Sequence, residues 1–405
     1  MKRFYWVLAL AALIAPLAGS SQVRVVKSMN EVSLLDMGMF KSLSDGAPAL
    51  FRRILETDLT RSEYFKIVNG LRAEYALLGN ATLEGSSLIV RCEAYNVISK
   101  ERYLSKTFKA SEDEARKLAH QVADEIVMAL TGRPGMASSR LALVGNRTGY
   151  KELYLCDADG QNLRQLTFDK TLSLAPKWGP DGRQMVYTSY RSQFPDVYLI
   201  TLGNNSWKGK CIANFPGLNA CAAISPDGRE VALTLSKDGN PDLFIMKISS
   251  RRLTRLTATK RAGEASPSWS PDGRQIVFVS DRSGSPQLYI MDRDGGEPKR
   301  ITSAGSQNVD PDWGANGFIA YSSLIGSLFQ VFVLNPATLA IQQITPEDAS
   351  YEDPSWAPDG RHLACARTQR YHSRIIIVDM ISRSCISLLP DSATGDWSSV
   401  NWSPR

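Results

Sequence analysis

One octapeptide pattern constrains this chain more than any other feature. PSWSPDGR at 267–274 returns as PKWGPDGR at 176–183, AAISPDGR at 222–229, PDWGANGF at 311–318 and PSWAPDGR at 354–361, and VNWSPR stands at 400–405. With Trp178, Ile224, Trp269, Trp313, Trp356 and Trp402 aligned, the steps are 46, 45, 44, 43 and 46 residues. A repeat of that length is one supersecondary unit, which buries its apolar face only against a neighbouring copy.

Each part of the repeat has a physical role. Ser-Pro-Asp-Gly at 270–273 fits a type I turn, with Pro271 presetting φ and Gly273 closing it. The Trp before it ends a strand. Behind it come a β-rich run from Gln275 to Ser280, a Gly-containing turn, a second run from Gln287 to Met291, another turn at Asp292–Gly296, and Lys299–Thr302 leading to the next Trp. That reads as four short strands per repeat with no helical period. Six such units predict an all-β six-bladed propeller over 140–405. Residues 140–147, Glu152–Cys156 and Arg164–Phe168 look like the second to fourth strands of a repeat without its Trp strand, whereas Trp402 has no strands behind it. The two fractions are complementary. The expectation is that the last strand pairs beside the first three and closes the ring, removing two free sheet edges.

The region before the repeats reads differently. Lys2 and Arg3 precede the apolar run Phe4–Ala15, then Pro16 and small residues to Ser20, a secretory leader over 1–20. The run is short of the roughly 20 residues of a spanning helix, and no other segment is apolar enough, so no membrane span is expected. Residues 21–29 precede the first clear element. An α/β unit is expected over 30–131. It has a strand at Val32–Leu35, a helix at Pro48–Leu59, a hairpin of Tyr75–Leu83 and Leu88–Val97 around Gly85, and a strand at Arg102–Phe108. A closing helix, capped by Ser111 and Glu114, carries Ala115, Leu118, Ala119, Val122, Ile126 and Leu130 on one face. Gly132-Arg133-Pro134 stops that helix and opens a linker over 132–139. The formal net charge is +6, and +4 without Lys2 and Arg3. With no basic cluster, nucleic acid is not an expected partner.

Enzymatic constellations are missing from the pattern. There is no Gly-x-Ser-x-Gly elbow, no paired-Cys zinc spacing and no phosphate-cradling Gly loop, so neither catalytic residues nor a cofactor or metal are expected. Of the three histidines, His120 lies near the apolar stripe as a packing or surface residue, while His362 and His372 read as surface residues beside turns. Asp-x-Asp-Gly at 157–160 and 292–295 resembles a calcium loop only superficially, since both stretches fall where a strand-to-strand turn already calls for Asp and Gly. Six cysteines in an exported chain allow fifteen pairings. However, Cys92, Cys156 and Cys365 sit inside strand patterns as small apolar residues, and Cys365 and Cys385 fall on strands that are not neighbours.

The PxWSPDG units, the run Ser-Asp-Arg-Ser-Gly-Ser-Pro-Gln-Leu-Tyr at 280–289 and a small α/β unit behind a leader together resemble the TolB family, periplasmic components of the Tol–Pal envelope system. The resemblance covers essentially the whole exported chain. It implies a monomeric, non-enzymatic periplasmic adaptor in outer-membrane integrity and cell division. Val23-Arg24-Val25-Val26 matches the family's N-terminal segment, which reaches the inner-membrane protein TolA. The lipoprotein Pal docks in the family over the mouth of the propeller channel, on loops entering the innermost strands. The matching positions here precede each Trp motif: Ala175, Asn219, Glu264, Ser266, Asn308, Asp310, Glu352 and Asp353. Two alternatives stand beside the adaptor: a propeller module that binds or gates for a peptidase, and a pore that takes a peptide or glycan. The Trp residues sit at one position in every blade, which argues for packing between blades rather than for a ligand.

Overall fold

Alternating apolar residues in each repeat give four strands whose two faces are both buried, the pattern of sheets stacked face to face. In the computed structural model, which describes residues 32–68, 70, 72–203 and 209–404, these sheets are the six blades of a propeller. The expected leader and segment 21–29, with Val23, Arg24, Val25 and Val26, lie outside the described residues. Blades 2 to 6 open on the innermost strands Ser173–Trp178, Asn219–Ile224, Glu264–Trp269, Asn308–Trp313 and Ser350–Trp356, each followed by three antiparallel strands. Blade 1 is composite. Its innermost strand is Trp397–Trp402, paired antiparallel with Arg140–Gly145, which continues into Glu152–Asp157 and Arg164–Gln165. The ring therefore closes as the complementary ends of the sequence predict.

Three small devices recur around the ring. The Pro-Asp-Gly turns close by a Gly amide donating to the carbonyl three residues back, as Gly273 does to Ser270 at 2.9 Å, with positive φ at the glycine. At the end of the outermost strand, Thr167, Thr257, Thr302 and Thr345 accept the amides of Leu153, Leu243, Leu288 and Val331 at 2.8–3.0 Å, fastening the fourth strand to the third. Between blades, the residue before the last of one innermost strand accepts the amide of the last residue of the next. Ser268 takes it from Trp313, Asp312 from Trp356, Ser355 from Trp402 and Asn401 from Trp178, at 2.8–3.0 Å. The last of these bonds spans the closure. The Trp rings pack as the sequence implies: Trp269 and Trp178 donate their indole N–H to carbonyls of the preceding blade, Ala223 and Asn401.

The N-terminal unit is a mixed sheet covered by two helices, α1 (Gly46–Arg61) and α2 (Ala115–Thr131). Its strand order is Phe65–Val68, Ser33–Asp36, Tyr75–Glu84, Ser87–Asn96, Arg102–Ser111, with Phe40–Ser42 beside Tyr75–Glu84. The α2 stripe is core, packed with Phe51, Leu55 and Leu59 of α1. The unit touches the propeller through a polar seam. Arg361 stacks its guanidinium 4.4 Å from the centroid of Tyr64 and donates to the Glu63 carbonyl at 3.1 Å, while Arg116 of α2 pairs with Asp157 and Asp159 of blade 1. His362 belongs to this region and is not the surface residue its position after a turn suggests. It is 1% exposed, with Nδ1 2.6 Å from Asp359, because Arg361 and Asp379 close over it. His120 is buried and His372 exposed. All six cysteines are free thiols. Among the described residues no helix is long and apolar enough to cross a membrane.

Candidate functional site: the propeller channel

An extra residue in every innermost strand builds the site. Counting each innermost strand so that its last residue is the sixth, the pairing to the second strand slips between the second and the fifth residue in all six blades, a β-bulge. The third residue of each strand takes a left-handed backbone: φ is 50° at Ala175, 50° at Cys221, 52° at Ser266, 51° at Asp310, 54° at Asp353 and 45° at Ser399. For a non-glycine residue that conformation costs about 1–2 kcal/mol. Sixfold repetition of such strain in one ring marks a place where the backbone is held for a purpose. The consequence is that two consecutive residues per blade, the third and the fourth, line the channel instead of alternating away from it.

The fourth residues, Pro176, Ala222, Pro267, Pro311, Pro354 and Val400, form an apolar collar. The third residues form a half-buried ring of small and acidic groups around a cavity of about 110 Å³. The two acids are neighbours, on blades 5 and 6. Asp353 accepts the Ser399 amide at 3.2 Å and its hydroxyl at 3.1 Å. Burial, joined by the charges of Asp353 and Glu352 and opposed by Lys177, pushes the Asp310 carboxyl up to about 8. At neutral pH this wall thus holds a proton and can both donate and accept a hydrogen bond. Lys177 of blade 2 reaches across to Asp312 of blade 5, the opposite blade, at 3.3 Å. That ion pair separates the narrow ring from a wider vestibule of about 310 Å³ lined by the Trp residues and the Pro-Asp-Gly turns. The geometry is a funnel that can take the tip of a loop and offer it hydrogen bonds, one cation and a carboxyl pair.

The eight expected positions divide between two roles. Ala175, Ser266, Asp310 and Asp353 line the channel together. Asn219, Glu264 and Asn308 do not: they are the first residues of innermost strands, 0% exposed, and their side chains hold the incoming loops. The Asn219 amide donates to the carbonyls of Phe215 and Gly217, and that of Asn308 to the carbonyl of Ala304. Glu264 accepts from Thr259 and Ser280 and pairs with Arg282 at 3.0 Å. Glu264 is therefore not a rim charge in a loop; burial raises its pKa, against the hydrogen bonds that hold it. Glu352 is the residue before the bulge, half-buried, accepting from Ser350 at 2.8 Å. Cys221, Ser399, Lys177 and Asp312 also belong to the channel although the sequence reading passed over them. Their signal was present, since each occupies the third or fifth place when the repeats are aligned.

The family model of the TolB beta propeller domain matches residues 127–405. The Tol-Pal system protein TolB of Desulfosudis oleivorans is 33% identical over 185 residues, 46% of this chain and 42% of that protein. The Tol-Pal system protein TolB of Anaeromyxobacter dehalogenans is 36% identical over 203 residues, 50% of this chain and 44% of that protein. The matches thus span somewhat under half the length of these curated relatives. The crystal structure of TolB from Acinetobacter baumannii superposes with a TM-score of 0.81 at 26% identity, covering 93% of this chain and 97% of that one. This chain belongs to the TolB beta-propeller family.

Proposed function

We propose that the chain is a periplasmic, non-enzymatic adaptor of a Tol–Pal envelope complex. In this reading residues 1–20 are a cleaved leader, 21–29 engage a TolA-like inner-membrane protein through Val23–Val26, 30–131 form the α/β unit, 132–139 the linker and 140–405 the propeller. The propeller channel receives a loop of a Pal-like lipoprotein, so that the adaptor links the two membranes and supports outer-membrane integrity during constriction. The observation that carries the reading is the ring of six strained bulges. It presents Ala175, Ser266, Asp310 and Asp353 to a cavity large enough for a side-chain tip. The relatives' names, with Tol-Pal in each, supply the partner class.

The experiment is to fill the ring. Ser266→Phe adds a bulky group at a half-buried position that lines the cavity. By calorimetry with the soluble part of the Pal-like lipoprotein, affinity should fall at least about tenfold, equivalent to about 1.4 kcal/mol. Circular dichroism checks that the fold is kept. A folded Ser266→Phe protein that binds the lipoprotein as the parent does would refute the channel as the docking site.

A further inference from the structure

The Asp-Ala-Asp-Gly turn of blade 1 has a second feature at the seam. It faces α2, where Arg116 pairs with both Asp157 and Asp159. One helical turn further along α2, His120 lies with its side chain only 6% exposed. Its Nδ1 is 2.6 Å from a carboxylate oxygen of Asp58 on α1, and its Nε2 has no hydrogen-bond partner among the described residues. A ring nitrogen of His120 and one oxygen each from Asp157 and Asp159 lie within 4.8 Å of one another. Because Asp58 engages Nδ1, the nitrogen left for this cluster is Nε2. A buried imidazole nitrogen without a partner is costly, so its placement beside two carboxylates calls for an occupant.

The surroundings specify the occupant's charge and type. Asp58, Asp124, Asp157 and Asp159 gather around Arg61 and Arg116, which leaves an excess of two negative charges when His120 is neutral. Calcium and magnesium prefer all-oxygen shells, whereas an imidazole nitrogen suits zinc and its d-block neighbours. A metal-bound histidine ordinarily donates its other N–H to a carboxylate, the part Asp58 is placed to play. Arg116 anchors the two turn carboxylates from one side. Tetrahedral bonds of about 2.0–2.2 Å put ligand atoms about 3.3–3.6 Å apart, so side-chain rotation would draw together atoms that now stand within 4.8 Å.

We propose that His120 Nε2, Asp157 and Asp159 bind one divalent d-block cation, with zinc as the reference ion, and that the ion ties the N-terminal unit to the propeller. One ligand comes from α2 and two from blade 1, so the ion bridges the two bodies. The test uses chelator-treated full-length chain titrated with zinc chloride by calorimetry, with calcium chloride as control. One zinc per chain is expected, calcium should not compete, and cobalt(II) in its place should give visible d–d absorption. Asp157→Asn with Asp159→Asn, two near-isosteric changes on a half-buried turn, should weaken zinc binding at least about tenfold with circular dichroism unchanged, and Asp58→Asn should weaken it about tenfold through the orientation of His120. His120→Gln, which removes the imidazole ligand, should also weaken zinc binding at least about tenfold, and should that variant not fold, the asparagine pair decides alone. Absence of a saturable zinc site, equal binding of calcium, or zinc affinity untouched in the folded asparagine variant would each overturn the proposal.

Discussion

Truncating Trp397 to Ala perturbs the closure of the ring without touching the repeats themselves. Trp397 is 0% exposed, sits edge-on to Tyr154 with centroids 5.0 Å apart, and donates its indole N–H to the Ala393 carbonyl. It also covers Gly145, where an added Cβ would come within 2.4 Å of the indole ring, so this glycine exists to admit the Trp. A buried aromatic removes about 150–250 Å² of surface from water, which at about 25 cal/mol per Å² is about 4–6 kcal/mol before the retained Cβ is subtracted. Measured truncations of this kind cost about 3–5 kcal/mol. At about 2–4 °C per kcal/mol, the melting temperature should drop by about 6–20 °C. Differential scanning calorimetry reads this directly, with Trp313→Ala as comparison. Trp313 is half-buried and bonds within its own blade to Gly317, so it should cost only about 2 kcal/mol. If Trp397→Ala melts no lower than Trp313→Ala, the C-terminal strand does not hold the ring together.

Three further outcomes follow from the site. Glu264→Ala leaves Arg282 without its ion-pair partner and the Ser280 hydroxyl without its acceptor, and should destabilise by about 2–4 kcal/mol in urea denaturation; a neutral result would return Glu264 to the solvent rim. Asp310 keeps a proton up to about 8, whereas an ordinary Asp releases it near 3.8. Between those pH values the folded state therefore binds more protons than the unfolded one, so this group lowers stability as pH rises through the window. Asp310→Asn should flatten that decline in melting curves taken from pH 4 to 8, and an unchanged slope would show that the carboxyl is not perturbed. A chain beginning at Asn30 should fold, keep its affinity for the Pal-like lipoprotein and lose capture of the TolA-like protein. Equal capture by both forms would contradict the role given to Val23–Val26.

The propeller was legible because its signals are local and repeated. A Trp, a Pro-Asp-Gly turn and two alternating runs recur at near-constant spacing, and the closure was visible as two complementary fractions. The two helices of the first unit were equally plain from period and capping. Its short strands Phe40–Ser42 and Phe65–Val68 were not, since three or four residues carry no period and both depend on parallel partners elsewhere in the chain. At the site, the sequence pointed to the correct strands but not to which residue of each faces the channel. The bulge that decides this is hidden in a pattern that otherwise alternates, and it places four residues that precede Pro at positive φ, against the extended preference of that position. Glu264 read as a rim acid because Thr259 and Arg282, which enclose it, come from the two flanking loops. His362 read as exposed because Arg361, Asp379 and Tyr64 meet over it only in the folded chain.

The central claim is that the channel's paired acids on blades 5 and 6 recognise the lipoprotein. Its most direct test is the affinity of the Pal-like lipoprotein for the parent chain and for Asp310→Asn with Asp353→Asn, each at low and high salt. The charges of Asp353 and Lys177 line the ring beside the protonated Asp310, so a partner tip meets charge there, and the parent's affinity should fall as salt rises. The double variant, folded by circular dichroism, should bind about 1–3 kcal/mol more weakly and lose most of that salt dependence. Parent-like affinity and parent-like salt dependence in the folded double variant would contradict the account.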